Sequence, residues 1–328
     1  MVGKVTSNKQ LSASQIPVLM GLSKFQSRNE LLKMIMDANK GIEPEQISNE
    51  SMDWGNTLEP IILNEACARL GLGNPKTTHD QPYQHDTLPI ACSLDGTVQG
   101  NDQEIMTDLE KGIICVNADK IKLSGNIILE SKLTAHEVES ADQLPLYRGP
   151  LQLQMQMDIT HAEVGVVCVL YKGTTLRLFV YQRDDEVIGE IHEAIMDFQK
   201  RIDKYLTNDE IDWYESQNSD EASRVFNVSY KSTIELPTME DIAEKILTWR
   251  DEITDRAKKI DDMQTIIMDQ MRDNERALIG RYEAIWGTTQ YKATAERYVP
   301  AKPARTVRHS KLKIRDREDL NGNNDTRE

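Results

Sequence analysis

Apolar residues along this chain switch between the three-to-four period of helices and the two-residue period of strands. Ser12-Ala13-Ser14 opens a short helix whose apolar side is Ile16, Val18, Leu19 and Met20, with Gly21 as its stop. A second helix is predicted over residues 28–38, with Leu31, Leu32, Met34, Ile35 and Met36 on one side. After a polar linker at 41–51, Trp54-Gly55-Asn56-Thr57-Leu58-Glu59-Pro60 leads into a helix ending near Leu70-Gly71. Its buried stripe is Ile61, Ile62, Ala66 and Leu70, and Glu59 falls in its first turn, where the helix dipole favours a carboxylate. Residues 72–87 read as loop and edge strand, 88–93 as a strand, and Asp95-Gly96 as a hairpin-type turn. Residues 100–126 form a polar insertion with one apolar run, 112–116, read as an extra hairpin that makes an excursion from the sheet. A strand over 126–132 follows.

The run 151–158 alternates like a strand. Pro150 at a helix N1 position and the Gln and Met content favour a helix instead. Gln152 and Gln156 then share a face one turn apart, and Gln154 lies to another side. Two strands, 162–171 and 175–183, are joined by a Lys172-Gly173 turn, and the run VGVVCVLY of the first is apolar on both faces, as a central strand is. A helix with Val187, Ile191, Ile195, Phe198, Ile202 and Leu206 closes the unit. The order predicts an α/β (α+β) fold, a mixed central sheet flanked by helices. Further on, Met239, Ile242, Ile246, Trp249, Ile253, Ile260 and Ile267 recur at threes and fours. They predict a long amphipathic helix or helical hairpin over 238–290, reaching about Ile285, that packs on the domain or makes an oligomer contact.

The 328 residues suffice for a large domain, 1–210, a linker, 211–237, and this helical extension. A basic element at 291–317 and a disordered tail at 318–328 complete the expected layout. No stretch approaches the roughly 18 apolar residues of a membrane span, and MVGKVTSNKQ lacks the apolar core of a signal peptide. Cys67, Cys92, Cys115 and Cys168 are scattered, which suits buried thiols in a reducing compartment, the cytoplasm. The six histidines show no metal-ligand spacing. The net charge of −15 is concentrated in 184–221 and in the helix after Leu236, whereas 292–317 is mostly basic. An acidic body with a local basic patch remains compatible with phosphate binding.

Candidate chemistry lies between IACSLDGT and NIILESKLT. Glu130 and Lys132 alternate with Ser131 along a strand and project to one side. With Asp95 on a neighbouring strand, two carboxylates and an ammonium converge. Carboxylates hold a hard divalent ion such as Mg2+, which polarises a phosphate and lowers the pKa of a bound water. Lys132 orients that water or stabilises developing charge. Glu59 can face the same metal, and Ser12 or Ser14 with helix-end N–H groups can bind a phosphate.

The pieces SASQIPVLMGLSKF, WGNTLEP, PIACSLDG, IILESK and LQLQMQM occur in this order over roughly residues 10–206. Together they resemble the lambda exonuclease family, the YqaJ-like viral recombinases within the PD-(D/E)XK nuclease superfamily. The resemblance implies a restriction-endonuclease-like core and Mg2+-dependent digestion of double-stranded DNA ends, with Mn2+ able to substitute. It implies 5′-to-3′ polarity, 3′ single strands passed to a single-strand annealing protein, and a homo-oligomeric ring in the host cytoplasm. By this resemblance Asp95, Glu130, the Ser131 carbonyl and Glu59 hold metal, Lys132 is the catalytic lysine, and Gln154 is the glutamine beside the site, with Gln152 one step before. Ser14, Ser12 and Ser23 match the serine region that contacts DNA phosphate. The family's Trp…Arg segment before the serines is missing here, and the 34 residues between Asp95 and Glu130 exceed the usual hairpin. Two alternatives stand beside this reading: an endonuclease with the same core, and a catalytically silent DNA-binding protein.

Overall fold

The computed structural model describes residues 6–44, 49–79, 81–138, 143–226 and 233–287. The chain opens with β1 (Leu11–Ser12), a 3-10 turn (Ala13–Gln15) and one turn of helix, α1 (Ile16–Leu19). Helix α2 (Arg28–Asn39) begins on a reciprocal cap. The Ser27 hydroxyl accepts the Glu30 N–H at 3.2 Å, and the Glu30 carboxylate accepts the Ser27 N–H at 2.8 Å. Helix α3 (Glu50–Arg69) precedes a run of strands: β2 (Tyr83–Gln84), β3 (Ile90–Cys92), β4 (Gly96–Gln99), β5 (Glu104–Met106), β6 (Ile113–Cys115), β7 (Lys120–Lys122) and β8 (Asn126–Thr134). Next come α4 (Pro150–Thr160), β9 (Val164–Tyr171), β10 (Thr175–Gln182), α5 (Asp185–Asn208) and α6 (Ser219–Val225). Helix α7 (Glu240–Met271) and the pair β11 (Arg276–Ile279) and β12 (Tyr282–Ile285) follow. The chain divides into two compact units, Met1–Glu221 and Ala222–Glu328.

The first unit is built on a mixed five-stranded sheet in the order β4-β8-β9-β10-β6. Strand β9 lies parallel to β8 and antiparallel to β10. The two-residue alternation divides its side chains between two cores. Val164, Val166 and Cys168 join Ile127 and Leu129 under α3, while Val167, Val169 and Tyr171 pack with α4 and α5. Gly165 lets α4 sit close: a Cβ there would stand 2.8 Å from Leu153 Cδ1. That approach brings the glutamines of α4 down onto β8.

Several expectations need correction. Asp95-Gly96 is not a hairpin turn, because β3 pairs with β1 and β2 while β4 pairs with β8; the chain passes there from one sheet to another. Residues 100–126 are more than an excursion. Strands β5 and β7 pair, but β6 lies parallel to β10 and completes the main sheet. Helix α3 starts ten residues before Pro60, capped by Asn49, whose side chain accepts the Met52 N–H at 3.0 Å. Glu59 is therefore in mid-helix, and an exposed Pro60 is carried inside the helix at the loss of one backbone donor. The linker 211–237 contains α6. The extension is not helical to Ile285: α7 ends at Met271, Arg272 takes φ 48°, and an antiparallel hairpin follows, with Gly280 at φ +58° in its turn. The basic element at 291–317 and the tail at 318–328 lie outside the described residues. Among the described residues no helix is long and apolar enough to cross a membrane.

Candidate active site

Strand register sets the site. Gly96 pairs with Leu129 in the antiparallel β4–β8 ladder, so Asp95, one residue earlier, falls opposite Glu130, one residue later. The ladder stops there, and Asp95 Oδ2 instead accepts the Ser131 N–H at 2.8 Å. In a strand the N–H and C=O of one residue point the same way. The Ser131 carbonyl therefore also faces the Asp95 side.

Glu130 is buried and each of its oxygens is held. Lys132 Nζ donates to Oε1 at 2.6 Å, and Gln156 Nε2 donates to Oε2 at 2.7 Å. Lys132 Nζ also donates to Gln152 Oε1 at 3.1 Å, and Gln156 Nε2 reaches the Ser93 carbonyl at 3.3 Å. Gln152 and Gln156 descend one turn apart from α4, as their spacing requires. A cleft of about 480 Å³ is lined by Asp95, Glu130, Ser131, Lys132 and Gln152, with Glu59 on the α3 side and Thr6, Ser12 and Ser14 on the N-terminal wall. The Ser12 and Ser14 hydroxyls are 3.0 Å apart.

Two predicted residues are elsewhere. Gln154 faces away: its Nε2 donates to the Gln182 carbonyl at 2.9 Å and its Oε1 accepts the Asp184 N–H at 3.0 Å, tying α4 to the start of α5. The helix period turns it off the face shared by Gln152 and Gln156. Ser23 closes its own loop, its hydroxyl accepting N–H bonds from Phe25 and Gln26. Gln156 and Thr6 were not among the predicted site residues. Gln156 had a signal, its shared face with Gln152; Thr6 had none.

The charges strain against each other. Burial, then the negative charge of Glu130, push the Asp95 carboxyl well above its ordinary range, with Lys132 and the Ser131 N–H pulling the other way. Burial and Glu130 likewise raise Glu59. Burial acts to lower Lys132, but Glu130, Asp95 and Glu59 outweigh it and hold the ammonium in its charged form. Three carboxylates against one cation leave an excess of negative charge, and every donor atom is a hard oxygen. This set suits a hard divalent ion.

A second cluster comes from far apart in sequence, which is why spacing did not reveal it. His85, Asp158 and His192 place ligand-type atoms within 4.8 Å of one another, a grouping able to hold a metal ion. Asp158 Oδ2 meets His85 Nε2 at 3.1 Å and His192 Nε2 at 2.6 Å, and Oδ1 accepts from Arg183 at 2.6 Å. The Thr87 and Leu88 N–H groups both donate to His85 Nδ1. That leaves the ring proton on Nε2, directed at Asp158, so ligation through Nε2 would require this tautomer to change.

Residues 6–163 match the model of the YqaJ-like viral recombinase domain. Among solved structures, an alkaline exonuclease (LHK-Exo) from Laribacter hongkongensis is similar, with 18% identity, a TM-score of 0.45, and coverage of 62% of this chain and 94% of that one. A phage related exonuclease from Haemophilus somnus 129PT is similar at 12% identity and a TM-score of 0.44, over 61% of this chain and 96% of that one. No curated protein matches the chain. The stretch that matches the YqaJ-like viral recombinase domain contains Asp95, Glu130, Lys132 and Glu59.

Proposed function

We propose that this chain is a phage-type, metal-dependent exonuclease that degrades linear double-stranded DNA from its ends in the 5′-to-3′ direction. The 3′ single strands it leaves would serve recombination through a single-strand annealing protein. The observation that carries the reading is the convergence of Asp95, Glu130, Glu59 and Lys132 on one cleft. The domain match supports it.

Asp95, Glu130, Glu59 and the Ser131 carbonyl are the donors for a divalent ion, Mg2+ with Mn2+ as a substitute. When bound, such an ion offsets charge on the phosphate and acidifies water. The neighbouring carboxylates favour the charged form of Lys132, which suits it to act as a hydrogen-bond donor and positive charge. Gln152 and Glu130 hold its Nζ in place. Water attacks phosphorus, the P–O3′ bond breaks, and a 5′-mononucleotide leaves. The Ser12 and Ser14 hydroxyls on the cleft wall offer contacts to backbone phosphate. We assign this work to residues 1–210, acting in the host cytoplasm within a homo-oligomeric ring.

The test is digestion of a linear duplex with a 5′ phosphate and a label at either end of one strand, with Mg2+ or EDTA, beside a closed circle. Early release of 5′-terminal mononucleotides from the linear DNA alone is expected. Cutting of the circle would establish an endonuclease instead, and Mg2+-independent persistence of both DNAs would leave a binding protein.

A further inference from the structure

The second unit carries an interaction surface of its own. Along α7, Ile246, Ile253, Ile260 and Ile267 return every seven residues, with Met239 in step at the helix N-cap. Three residues after the members of that row stand Ile242, Trp249 and Met263, with Arg256 in the same row. These are the a and d positions of a heptad repeat sustained for four turns of the pattern. The stripe is open to solvent: Trp249 is 61 % exposed, Ile253 66 % and Met263 61 %. A helix of 32 residues spans about 48 Å, and an apolar face of that length marks association.

The flanking charges say what covers it. The g positions are Lys245, Glu252, Lys259 and Ile266, and the e positions are Ala243, Arg250, Ala257 and Gln264. Two parallel copies would set Lys245 against Arg250 of the partner subunit twice and gain no attraction in return. Two antiparallel copies do better in one register. With Ile246 on Met263 of the partner subunit and Ile260 on Trp249 of the partner subunit, Glu252 meets Lys259 of the partner subunit at both ends of the centre. That register also overlaps nearly the whole helix. A slip of one heptad either way puts Glu252 on its own symmetry mate, or Lys259 on its own. Lys259 holds Asp255 of its own helix at 2.5 Å, an exposed pair that is cheaply shared. Arg256 at the central d positions layers against Ile253 of the partner subunit, beside Glu252 of the partner subunit, a polar insertion of the kind that fixes register.

We propose that α7 pairs with α7 of a second copy of this chain as an antiparallel coiled coil in this register. The experiment is the molar mass and dissociation constant of the full chain by sedimentation equilibrium. Ile253→Asp with Ile260→Asp is expected to halve the mass of the assembly. Glu252→Lys and Lys259→Glu are each expected to weaken association about ten-fold, and the two together to restore it. Circular dichroism of each variant checks that the fold persists; for any variant that loses it, crosslinking of Ile246→Cys with Met263→Cys between otherwise wild-type chains gives the same answer. A wild-type chain of 37.4 kDa that stays monomeric overturns the proposal. So does a mass unchanged by the aspartates, which would give the stripe another occupant, such as residues 288–328. A charge swap that fails to restore association overturns the antiparallel register.

Discussion

Asp95 and Ser131 are joined by a 2.8 Å hydrogen bond from a backbone N–H to a carboxylate, made where the β4–β8 ladder runs out. The bond anchors a carboxylate that its surroundings otherwise disfavour. Because the folded-state pKa of Asp95 is raised, the folded protein gives up its proton less readily than the unfolded chain does. Without metal, stability must therefore fall as pH rises above the ordinary carboxylate range, through the raised pKa. Asp95→Asn keeps an acceptor for the Ser131 N–H and removes the charge. We expect it to raise metal-free stability at neutral pH by about 1 kcal/mol and to lower cleavage at least about 100-fold. Thermal melts with and without Mg2+ and a nuclease assay read both effects; a destabilised Asp95→Asn variant would contradict the electrostatic account.

Lys132 shares Glu130 with Gln156, so its loss exposes a different weakness. Lys132→Met leaves the buried Glu130 carboxylate with one neutral donor. Activity should fall at least about 100-fold, and metal-free stability by about 1–3 kcal/mol. Added Mg2+ should recover part of that stability, because the carboxylates keep their cation. Chemical denaturation at several Mg2+ concentrations measures the recovery.

The glutamines of α4 separate site from scaffold. Gln156→Leu frees Glu130 Oε2 and should cost about 10–100-fold in activity or metal affinity. Gln154→Leu removes bonds to Gln182 and Asp184 and should cost about 1–2 kcal/mol of stability with cleavage intact. Paired kinetics and melts of the two variants decide the matter, and an inactive but stable Gln154→Leu would reverse the assignment.

Asp158 behaves oppositely to Asp95. Burial acts to raise its pKa, but bonds and charge from His192 and Arg183 lower it overall. Its contribution to stability is present above the unfolded-state pKa of about 3.9 and is lost as pH falls through the lower folded value. Asp158→Asn should therefore be less stable than the parent at pH 7, by about 1–3 kcal/mol, with the gap closing in acid. Added Zn2+ that raises the parent's melting temperature, but not that of His192→Ala, would instead show that the cluster takes a metal.

Much of this arrangement was legible because it depends on local pattern. Strands β8 to β10 and helices α2 and α5 follow from apolar period; α4, whose run alternates like a strand, follows from Pro150 and its Gln and Met content. Asp95, Glu130 and Lys132 follow from two short motifs, and strand register brings them together. What was not legible rests on long-range or non-periodic choices. Pro60 reads as a helix start, yet α3 carries it in mid-helix because it lies on the exposed side. His85 and His192 meet Asp158 only after α4 has packed. The three-to-four spacing beyond Met271 runs on into a hairpin, where Asp273, Asn274 and Gly280 break the helix.

Strand β6 is three residues long and lies along the outer edge of β10, although it arises from the segment that links Asp95 to Glu130. The main sheet is thereby bounded on both sides by parts of one connection, β4 at one edge and β6 at the other. Shortening 100–126 to obtain a minimal catalytic domain would leave Asp95 just before β4 and Glu130 on β8. It would also uncover Leu178, Phe179 and Val180, the apolar middle of β10 that β6 pairs with, as an open template for strand addition. The segment that looks most dispensable is the one that covers the apolar middle of this edge.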